Sequence, residues 1–258
     1  MSFLRISPVV LAAASLISIS CSAQAIAVAQ LPAHATLPIT FSKTVSAAHA
    51  KPGDLILART SQAIRLTDGR EVSSGALVKG HVLSAKAFTY DNTPYAKQAA
   101  GSLEVQVDSL EVEGQSVPLH VSLRAMADPI TVSETYESYV PDNIPQAETE
   151  LVGGDRISPT QKEIHNQDGD VVGYNKKGGP FGHLIANSNG RLSCDGGDTE
   201  QPISRFSPSA CGLYGFTDVF LTSFDSSHIG LASTRVSPKI WKSSTALLET
   251  MPDETASR

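Results

Sequence analysis

The chain contains little of several residue types, and each shortage excludes a class of protein. Its 258 residues include three Cys, three Met and one Trp, and aromatic residues make up 6% of the total. So few cysteines exclude a small scaffold whose disulfides replace a hydrophobic core. No CxxC pair is present to start a zinc site. The length suits one large all-β domain or two small ones.

Long apolar segments are also scarce. One apolar run spans 9–19, which is shorter than the roughly 20 residues that a membrane-spanning helix needs. Because Arg5 precedes this run and the small residues 23–25 (AQA) follow it, we predict a signal peptide over 1–25. Cleavage after Ala29 and lipidation of Cys21 are the alternatives. The mature chain is therefore expected to be exported, to have no transmembrane helix, and to be periplasmic, outer-membrane associated or extracellular.

The chain has fewer basic residues than acidic residues. The chain has 20 Lys and Arg against 26 Asp and Glu, which gives a formal net charge of −6. The basic residues form no cluster along the sequence. This pattern argues against nucleic acid as a partner and against an electrostatic anchor on anionic lipid.

Short alternating segments dominate what remains. The stretches 55–60 (LILART), 102–112 (SLEVQVDSLEV) and 117–123 (VPLHVSL) place apolar side chains on one face, as half-buried strands do. The Asp-Gly pair in 67–70 (TDGR) predicts a hairpin turn between two strands. We therefore predict a mainly β protein with short strands and little helix apart from the signal peptide, and an antiparallel β-barrel or sandwich domain over 31–126.

The rest of the chain divides by composition. Residues 127–164 are acidic, contain several prolines and lack apolar periodicity, so they are predicted to form a linker or a long excursion. A second β-rich region is expected over 165–250, where glycine and asparagine turns separate short apolar pieces. The polar tail 251–258 is predicted to be disordered.

The cysteines give the most specific prediction. Removal of the signal peptide takes Cys21 with it and leaves Cys194 and Cys211 in an exported chain. Two cysteines in an oxidising compartment favour a disulfide between them. A reduced buried pair is the alternative.

Three short motifs resemble functional loops and fail their templates. Residues 175–179 (NKKGG) lack the Walker spacing, and 212–216 (GLYGF) lack the central serine of a nucleophile elbow. Residues 166–170 (NQDGD) lack the closing glutamate of a calcium loop and are predicted to form an Asp-Gly turn. We therefore assign no catalytic residue, no metal site and no cofactor.

Two kinds of ligand chemistry stay open. A secreted hydrolase would need two carboxylates in one cleft, about 5 to 10 Å apart; the candidates are Asp168, Asp170, Asp195, Asp198 and Glu200. A carbohydrate or small-molecule binding module would need an exposed aromatic platform, for which the candidates are Tyr174, Phe181, Tyr214 and Trp241. Core packing is the alternative for each of these rings.

Two resemblances bear on function. Residues 37–40 (LPIT), 53–54 (GD) and 72–82 (VSSGALVKGHV) resemble the periplasmic β-barrel domain of TrbI-like proteins of type IV secretion complexes, over about 31–123. This resemblance implies a β-barrel and an envelope protein as partner. Residues 166–187, 194–201 and 209–218 are similar to a group of exported acidobacterial proteins. This resemblance implies cysteines at positions 194 and 211 and no particular activity. The expected function is that of an exported, non-catalytic envelope protein that binds a partner.

Overall fold

The computed structural model describes residues 30–94, 97–135, 148–157 and 162–252. The predicted signal peptide, with Cys21, lies outside these residues, as does most of the predicted tail. Within the four described ranges, no helix has the length and apolar character needed to cross a membrane.

The described chain is built almost entirely of short strands. The first half contains β1 (Thr36–Phe41), β2 (Val45–Ser46), β3 (Leu55–Thr60), β4 (Ile64–Arg65), β5 (Glu71–Val72), β6 (Leu77–Lys86), β7 (Gly101–Val112), β8 (Gln115–Pro118), β9 (Val121–Ala127) and the helix α1 (Pro129–Glu134). The second half contains β10 (Thr149–Glu150), β11 (Arg156–Ile157), β12 (Glu163–His165), β13 (Val171–Lys176), β14 (Gly179–His183), β15 (Asn187–Asn189), β16 (Leu192–Cys194), β17 (Glu200–Pro202), β18 (Gly212–Tyr214), β19 (Phe220–Ser223), β20 (His228–Ser233), β21 (Lys239–Ile240) and β22 (Thr245–Thr250). The predicted mainly β class is confirmed.

One large sheet curls into a nearly closed barrel. Its strand order is β18-β9-β22-β1-β3-β6-β7-β20-β19, with β8 paired to β7. Neighbours along this order are antiparallel except for β18 and β9, which are parallel. We call this sheet the barrel. Residues 215–219 connect its two end strands, β18 and β19.

Alternation of side chains fills the barrel. Leu103, Val105 and Val107 of β7 are buried, while Glu104 between them is exposed. Because successive side chains of a strand point to opposite faces, these residues line the inside and meet the inward residues of β1, such as Leu37. The barrel core is therefore encoded by period-two patterning.

A second sheet, of order β10-β11-β12-β13-β14-β17, lies between β9 and β18 in the sequence. We call it the inserted sheet. Its own core is small and consists of Leu151, Ile157, Ile164, Leu184 and Ile203, with Val172 packed against it. Its edge strand β17 contacts the barrel, where the Thr36 hydroxyl donates to the Pro202 carbonyl at 2.5 Å.

Strands that precede residues 127–164 in the sequence pair in the barrel with strands that follow them. β22 lies between β9 and β1, and β20 pairs with β7. The described part of 127–164 has regular structure. It contains α1 and the strands β10 and β11, and Asp128 caps α1 by accepting a hydrogen bond from the Thr131 N–H at 2.8 Å. Residues 136–147 and 158–161 lie outside the described residues.

One predicted strand is wrong. The stretch 117–123 is divided between β8 and β9 rather than forming a single strand. Val117, Leu119 and Val121 are buried as the alternation predicts, but β8 pairs with β7 and β9 pairs with β22. The pattern identifies the inward face and does not show where the chain changes partner.

Candidate functional site

Two aromatic side chains of the inserted sheet lie side by side. β13 and β14 form an antiparallel hairpin in which Tyr174 is the cross-strand partner of Phe181. Tyr174 is 42% exposed and Phe181 is half-buried. The Lys176 ammonium lies 5.8 Å from the centroid of each ring, within cation–π range. We call Tyr174, Lys176 and Phe181 the aromatic face.

An ion pair fixes the lysine of the aromatic face. The Lys176 ammonium contacts the Glu200 carboxylate of β17, two strands away from β13. Both groups are partly exposed, so the pair adds little to stability. Its effect is on orientation, because it holds the ammonium beside the two rings.

Strand alternation makes the β13–β14 hairpin a partition between two clefts. Asn175 and Pro180 are cross-strand partners and point to the face opposite Tyr174 and Phe181. Lys176 and Phe181 line one cleft, while Asn175 and Pro180 line the other. Gly178, in the turn at the hairpin tip, borders both.

The first cleft, which we call the charged cleft, has a volume of about 590 Å³. It lies between the inserted sheet and the barrel-side hairpin β4–β5, where Arg65 and Glu71 are cross-strand partners. The inserted sheet contributes Lys176, Lys177 and Glu200. Three cations and two carboxylates therefore line a cleft in a chain whose net charge is −6.

The second cleft, which we call the neutral cleft, has a volume of about 660 Å³. It is lined mainly by hydroxyl, amide and apolar side chains from β1, α1, β10 and the hairpin, together with Arg205. Thr245 of β22 also lines it, and among the described residues its buried hydroxyl oxygen has no hydrogen-bond partner. This lining suits uncharged polar groups better than ions.

Gln62 holds the hairpin between the two clefts. Its side chain is 2% exposed; the amide nitrogen donates to the Pro180 carbonyl at 2.9 Å and the amide oxygen accepts from the Ser204 N–H at 2.8 Å. Gly179 has a φ of +122°, and a Cβ there would lie 3.1 Å from the Gln62 amide carbon. The tip of the hairpin thus needs glycine in order to close over this amide.

The other two predicted platform aromatics lie elsewhere. The Tyr214 hydroxyl accepts from the Cys211 N–H at 3.1 Å, and its ring packs on a small buried cluster that includes Phe206. Trp241 packs against the barrel core, with its ring centroid 5.4 Å from that of Phe216. Both rings are half-buried and pack against buried clusters, whereas Tyr174 and Phe181 form a cross-strand pair.

The predicted cysteine pair is at disulfide distance. Cys194 and Cys211 form a bond that joins Cα atoms 6.0 Å apart and 17 positions apart in sequence. Both side chains are buried within the cluster that forms the barrel core. We call residues 128–211, between β9 and β18, the insertion. The bond connects β16 to the residue before β18, so it attaches the β15–β16 pair of the insertion to the barrel.

Arg124 of β9 makes a second attachment between the barrel and the insertion. Its side chain is 1% exposed and donates to the carbonyls of Asp195 at 2.6 Å, Ile185 at 2.7 Å and Pro208 at 3.1 Å. The Glu249 carboxylate lies 3.4 Å away and supplies the opposite charge. Burial lowers the pKa of Arg124 and Glu249 opposes this shift. One guanidinium therefore holds three loops that lie between β14 and β18.

The carboxylates considered for a hydrolase occupy separate positions. Asp168 and Asp170 lie in the β12–β13 turn, where the Asn166 side-chain oxygen accepts from both of their N–H groups. Asp195 lines a cavity of about 280 Å³ beside Arg124, whereas Glu200 lines the charged cleft. The Asp198 carbonyl is hydrogen-bonded to a ring nitrogen of His183. Asp168 and Asp170 are therefore part of the hydrogen-bonded turn that joins β12 to β13.

Asp155, which the sequence analysis did not single out, is a buried carboxyl. It is 4% exposed, its N–H donates to the Ser207 hydroxyl at 3.0 Å, and within the described ranges its Oδ2 has no hydrogen-bond partner. Burial raises the pKa of Asp155 to about 6, while a separate side-chain hydrogen bond between Ser207 and the carboxyl group opposes the shift. No sequence signal marks this residue, because Gly-Gly-Asp is an ordinary turn composition.

Sequence reasoning also missed the residues that shape the clefts. Arg65 stands in a strand-like stretch and Gln62 in the turn before it, so neither carries a motif. Lys177 lies in the stretch 175–179, which fails the Walker pattern. Its two glycines after two lysines also indicate a hairpin turn.

Comparison with known proteins gives no relative whose site could be compared with these clefts. No family model, no curated protein and no solved structure matches the chain. In the part of the chain that the structure describes, no three His, Cys, Asp or Glu side chains form a group that could hold a metal ion. The two clefts and the aromatic face are therefore the features of the molecule that bear on its function.

Proposed function

We propose that this chain is a non-catalytic binding protein of the cell envelope, and that the inserted sheet carries its ligand-binding face. The observation that supports this most strongly is the cross-strand pairing of Tyr174 with Phe181, since Phe181 lines the charged cleft. Exposed rings beside a concave surface offer an apolar contact that a ligand can cover, and such sites combine apolar walls with a few polar groups.

The ligand class that best suits this face is a saccharide. A sugar ring has an apolar face of C–H groups that packs on an aromatic ring, and its hydroxyls need donors and acceptors around that contact. The aromatic face supplies two rings, and Lys176 and Glu200 beside it supply a donor and an acceptor.

The barrel serves as the support in this proposal. Gln62 fixes the hairpin tip, and Arg124 and the disulfide fix the other end of the insertion. A binding face held by rigid elements loses less conformational entropy when its ligand binds.

Binding to immobilised oligosaccharides tests the proposal. The mature protein is applied to an array that carries neutral hexasaccharides, such as maltohexaose and cellohexaose, together with oligogalacturonates and sulfated hexasaccharides. We expect binding to at least one class, and a loss of at least tenfold in affinity for Tyr174→Ser. Tyr90→Ser is the matched control, since Tyr90 is 73% exposed and lies outside the inserted sheet.

Two results would overturn the proposal. One is the absence of binding to every printed saccharide by the folded wild-type protein. The other is binding that Tyr174→Ser and Tyr90→Ser leave equally unchanged, because the contact would then not involve the aromatic face.

A second candidate function is a place in an envelope assembly, as the resemblance to TrbI-like proteins implies. Val171 of the inserted sheet and Ile185 of the loop after β14 are exposed apolar residues, which a protein partner would cover. The native mass of the protein, gently extracted from the envelope of its host, tests this idea. Several hundred kilodaltons would support an assembly, and a mass near that of the cleaved monomer would count against it.

A further inference from the structure

The charged cleft carries unused positive charge on its barrel side. Arg65 lines the cleft and, among the described residues, has no ion pair, although Glu71 is its cross-strand partner. Its neighbour Arg70 differs, because the Arg70 guanidinium is held by Asp68 at 2.8 Å and by Glu113 at 3.2 Å. The β4–β5 hairpin thus has one neutralised arginine and one available arginine.

The inserted sheet repeats this arrangement. Lys176 is neutralised by Glu200, and it lies beside the aromatic rings. Lys177, the next residue, is exposed, lines the same cleft, and makes no ion pair within the described ranges. One available cation therefore comes from each wall of the cleft.

The apolar part of the cleft limits what these cations can bind. Phe181 lines the cleft together with Ile64 and Pro202. A free inorganic anion would use the cations and leave this surface exposed to water. A purely apolar ligand would cover Phe181 and leave two cations without a counter-charge. A ligand that satisfies both walls has an anionic group and an apolar ring face in one molecule.

We infer that the charged cleft binds an acidic saccharide, with its carboxylate, sulfate or phosphate group between Arg65 and Lys177 and a sugar ring against Phe181. This inference rests on the proposed saccharide-binding function and adds the charge of the ligand. Arginine suits such a group because its planar fork bonds two oxygens at once, whereas lysine acts as a point charge.

Calorimetric titration with defined probes tests the inference. The probes are tetragalacturonate, a chondroitin sulfate hexasaccharide, neutral maltohexaose and inorganic phosphate. We expect one of the two acidic saccharides to bind at least tenfold more tightly than maltohexaose and phosphate, and the carboxylated and sulfated probes distinguish the anionic group. Affinity should fall as salt is raised, since the cations are exposed.

Charge-neutralising variants locate the contact. Arg65→Gln and Lys177→Gln should each weaken binding of the acidic saccharide about fivefold to tenfold and leave the weak binding of maltohexaose unchanged. Lys51→Gln is the matched control, because Lys51 is an exposed turn lysine of the barrel half. Thermal unfolding of each variant confirms that it folds, as substitutions at exposed positions rarely change stability much.

The outcomes separate this inference from the proposed function. If maltohexaose binds as tightly as the acidic probes and loses affinity in Tyr174→Ser but not in Arg65→Gln, the charge assignment is wrong and saccharide binding stands. If phosphate alone binds as tightly as the acidic saccharides and Phe181→Ser has no effect, the cleft is an anion site and the inference fails. If no saccharide binds, both proposals fail.

Discussion

In the barrel, β7 runs for 12 residues and alternates buried and accessible side chains along most of its length, whereas β13 of the inserted sheet has six residues of which four are exposed. The barrel core joins residues from nearly every barrel strand, while the inserted sheet buries five residues of its own. A core of that size stabilises a sheet only weakly, because apolar burial contributes roughly 1.5–3 kcal/mol per fully buried large side chain before entropy is subtracted.

The inserted sheet, together with the β15–β16 pair and the loops beside it, is therefore positioned by specific attachments to the barrel. Three of them are the Arg124 guanidinium, the Cys194–Cys211 disulfide and the Gln62 amide. Attachments of this kind are directional, so they set where the binding face lies as well as whether it is folded. Removing them one at a time tests how far the two regions differ.

The largest effect is expected at Arg124. Arg124→Met should lower the free energy of unfolding by about 3–5 kcal/mol, because Glu249 and three backbone carbonyls lose their buried partner. Urea unfolding followed by Trp241 fluorescence measures the change. Arg191→Met is the matched control at an exposed turn arginine and should change stability by less than about 0.5 kcal/mol.

Arg124→Met and Arg124→Lys together show whether the hydrogen bonds of Arg124 or only its charge stabilise the fold. A loss below about 1 kcal/mol for Arg124→Met would show that the carbonyls find other partners and that the fastening is dispensable. Arg124→Lys should recover part of the loss, since it restores the charge opposite Glu249 but not the planar fork.

Reduction of the disulfide comes next. Opening a bond that closes a 17-position loop should cost about 3 kcal/mol and lower the melting temperature. Hydrogen exchange is expected to accelerate in 184–202 and to change little in β7, since the bond fastens the insertion to the barrel. Cys194→Ala should reproduce the effect.

A double variant checks the assignment of this effect. Cys194→Ala combined with Cys211→Ala should melt at the same temperature with and without reductant. Identical melting curves for the oxidised and reduced wild type would contradict the prediction.

Much of the barrel could be predicted from local sequence, and the pairing order could not. The stretch 55–60 is the strand β3 residue for residue, and the Asp-Gly turn in 67–70 joins β4 to β5. Alternation reports which face is buried but carries no information about partners distant in sequence. The insertion of β22 between β9 and β1, which closes most of the barrel, follows from contacts across the whole chain.

The candidate site was predictable only in part. Composition made all four rings candidates. Tyr174 and Phe181 form a cross-strand pair, whereas Tyr214 and Trp241 are half-buried against the buried clusters. Tyr174 and Phe181 are brought together by the cross-strand register of β13 and β14, which depends on the position of the Lys177-Gly178 turn. Arg65 reaches the charged cleft only because the barrel and the inserted sheet pack together, and no local motif encodes that.

A smaller effect depends on pH and concerns Asp155. Because burial raises the pKa of Asp155 to about 6, the folded state binds more protons than the unfolded state between roughly pH 4 and 6. This group therefore makes stability fall as pH rises through that window. The full shift corresponds to at most about 3 kcal/mol, and we expect about 2 kcal/mol.

The substitution Asp155→Asn isolates this contribution. The variant should be more stable than wild type at pH 7.5 and about equally stable at pH 4, because the amide does not ionise. Asp54→Asn, at an exposed turn of the barrel, is the control and should show no such crossover. Parallel stability–pH curves for wild type and Asp155→Asn would rule out the buried carboxyl as the cause.

The smallest change is expected at Gln62, and it bears most directly on the binding face. Gln62→Ala should cost about 1–2 kcal/mol, because the Pro180 carbonyl and the Ser204 N–H lose a shared partner at a nearly buried position. The hairpin tip between the two clefts should then exchange its amide hydrogens faster, while β3 and β6 keep their protection. Gln115→Ala, at an exposed position of β8, is the control. If saccharide affinity falls in Gln62→Ala although none of the proposed ligand contacts is removed, the barrel contributes to binding by fixing the hairpin, whereas unchanged affinity would mean that the inserted sheet holds its aromatic face without the barrel.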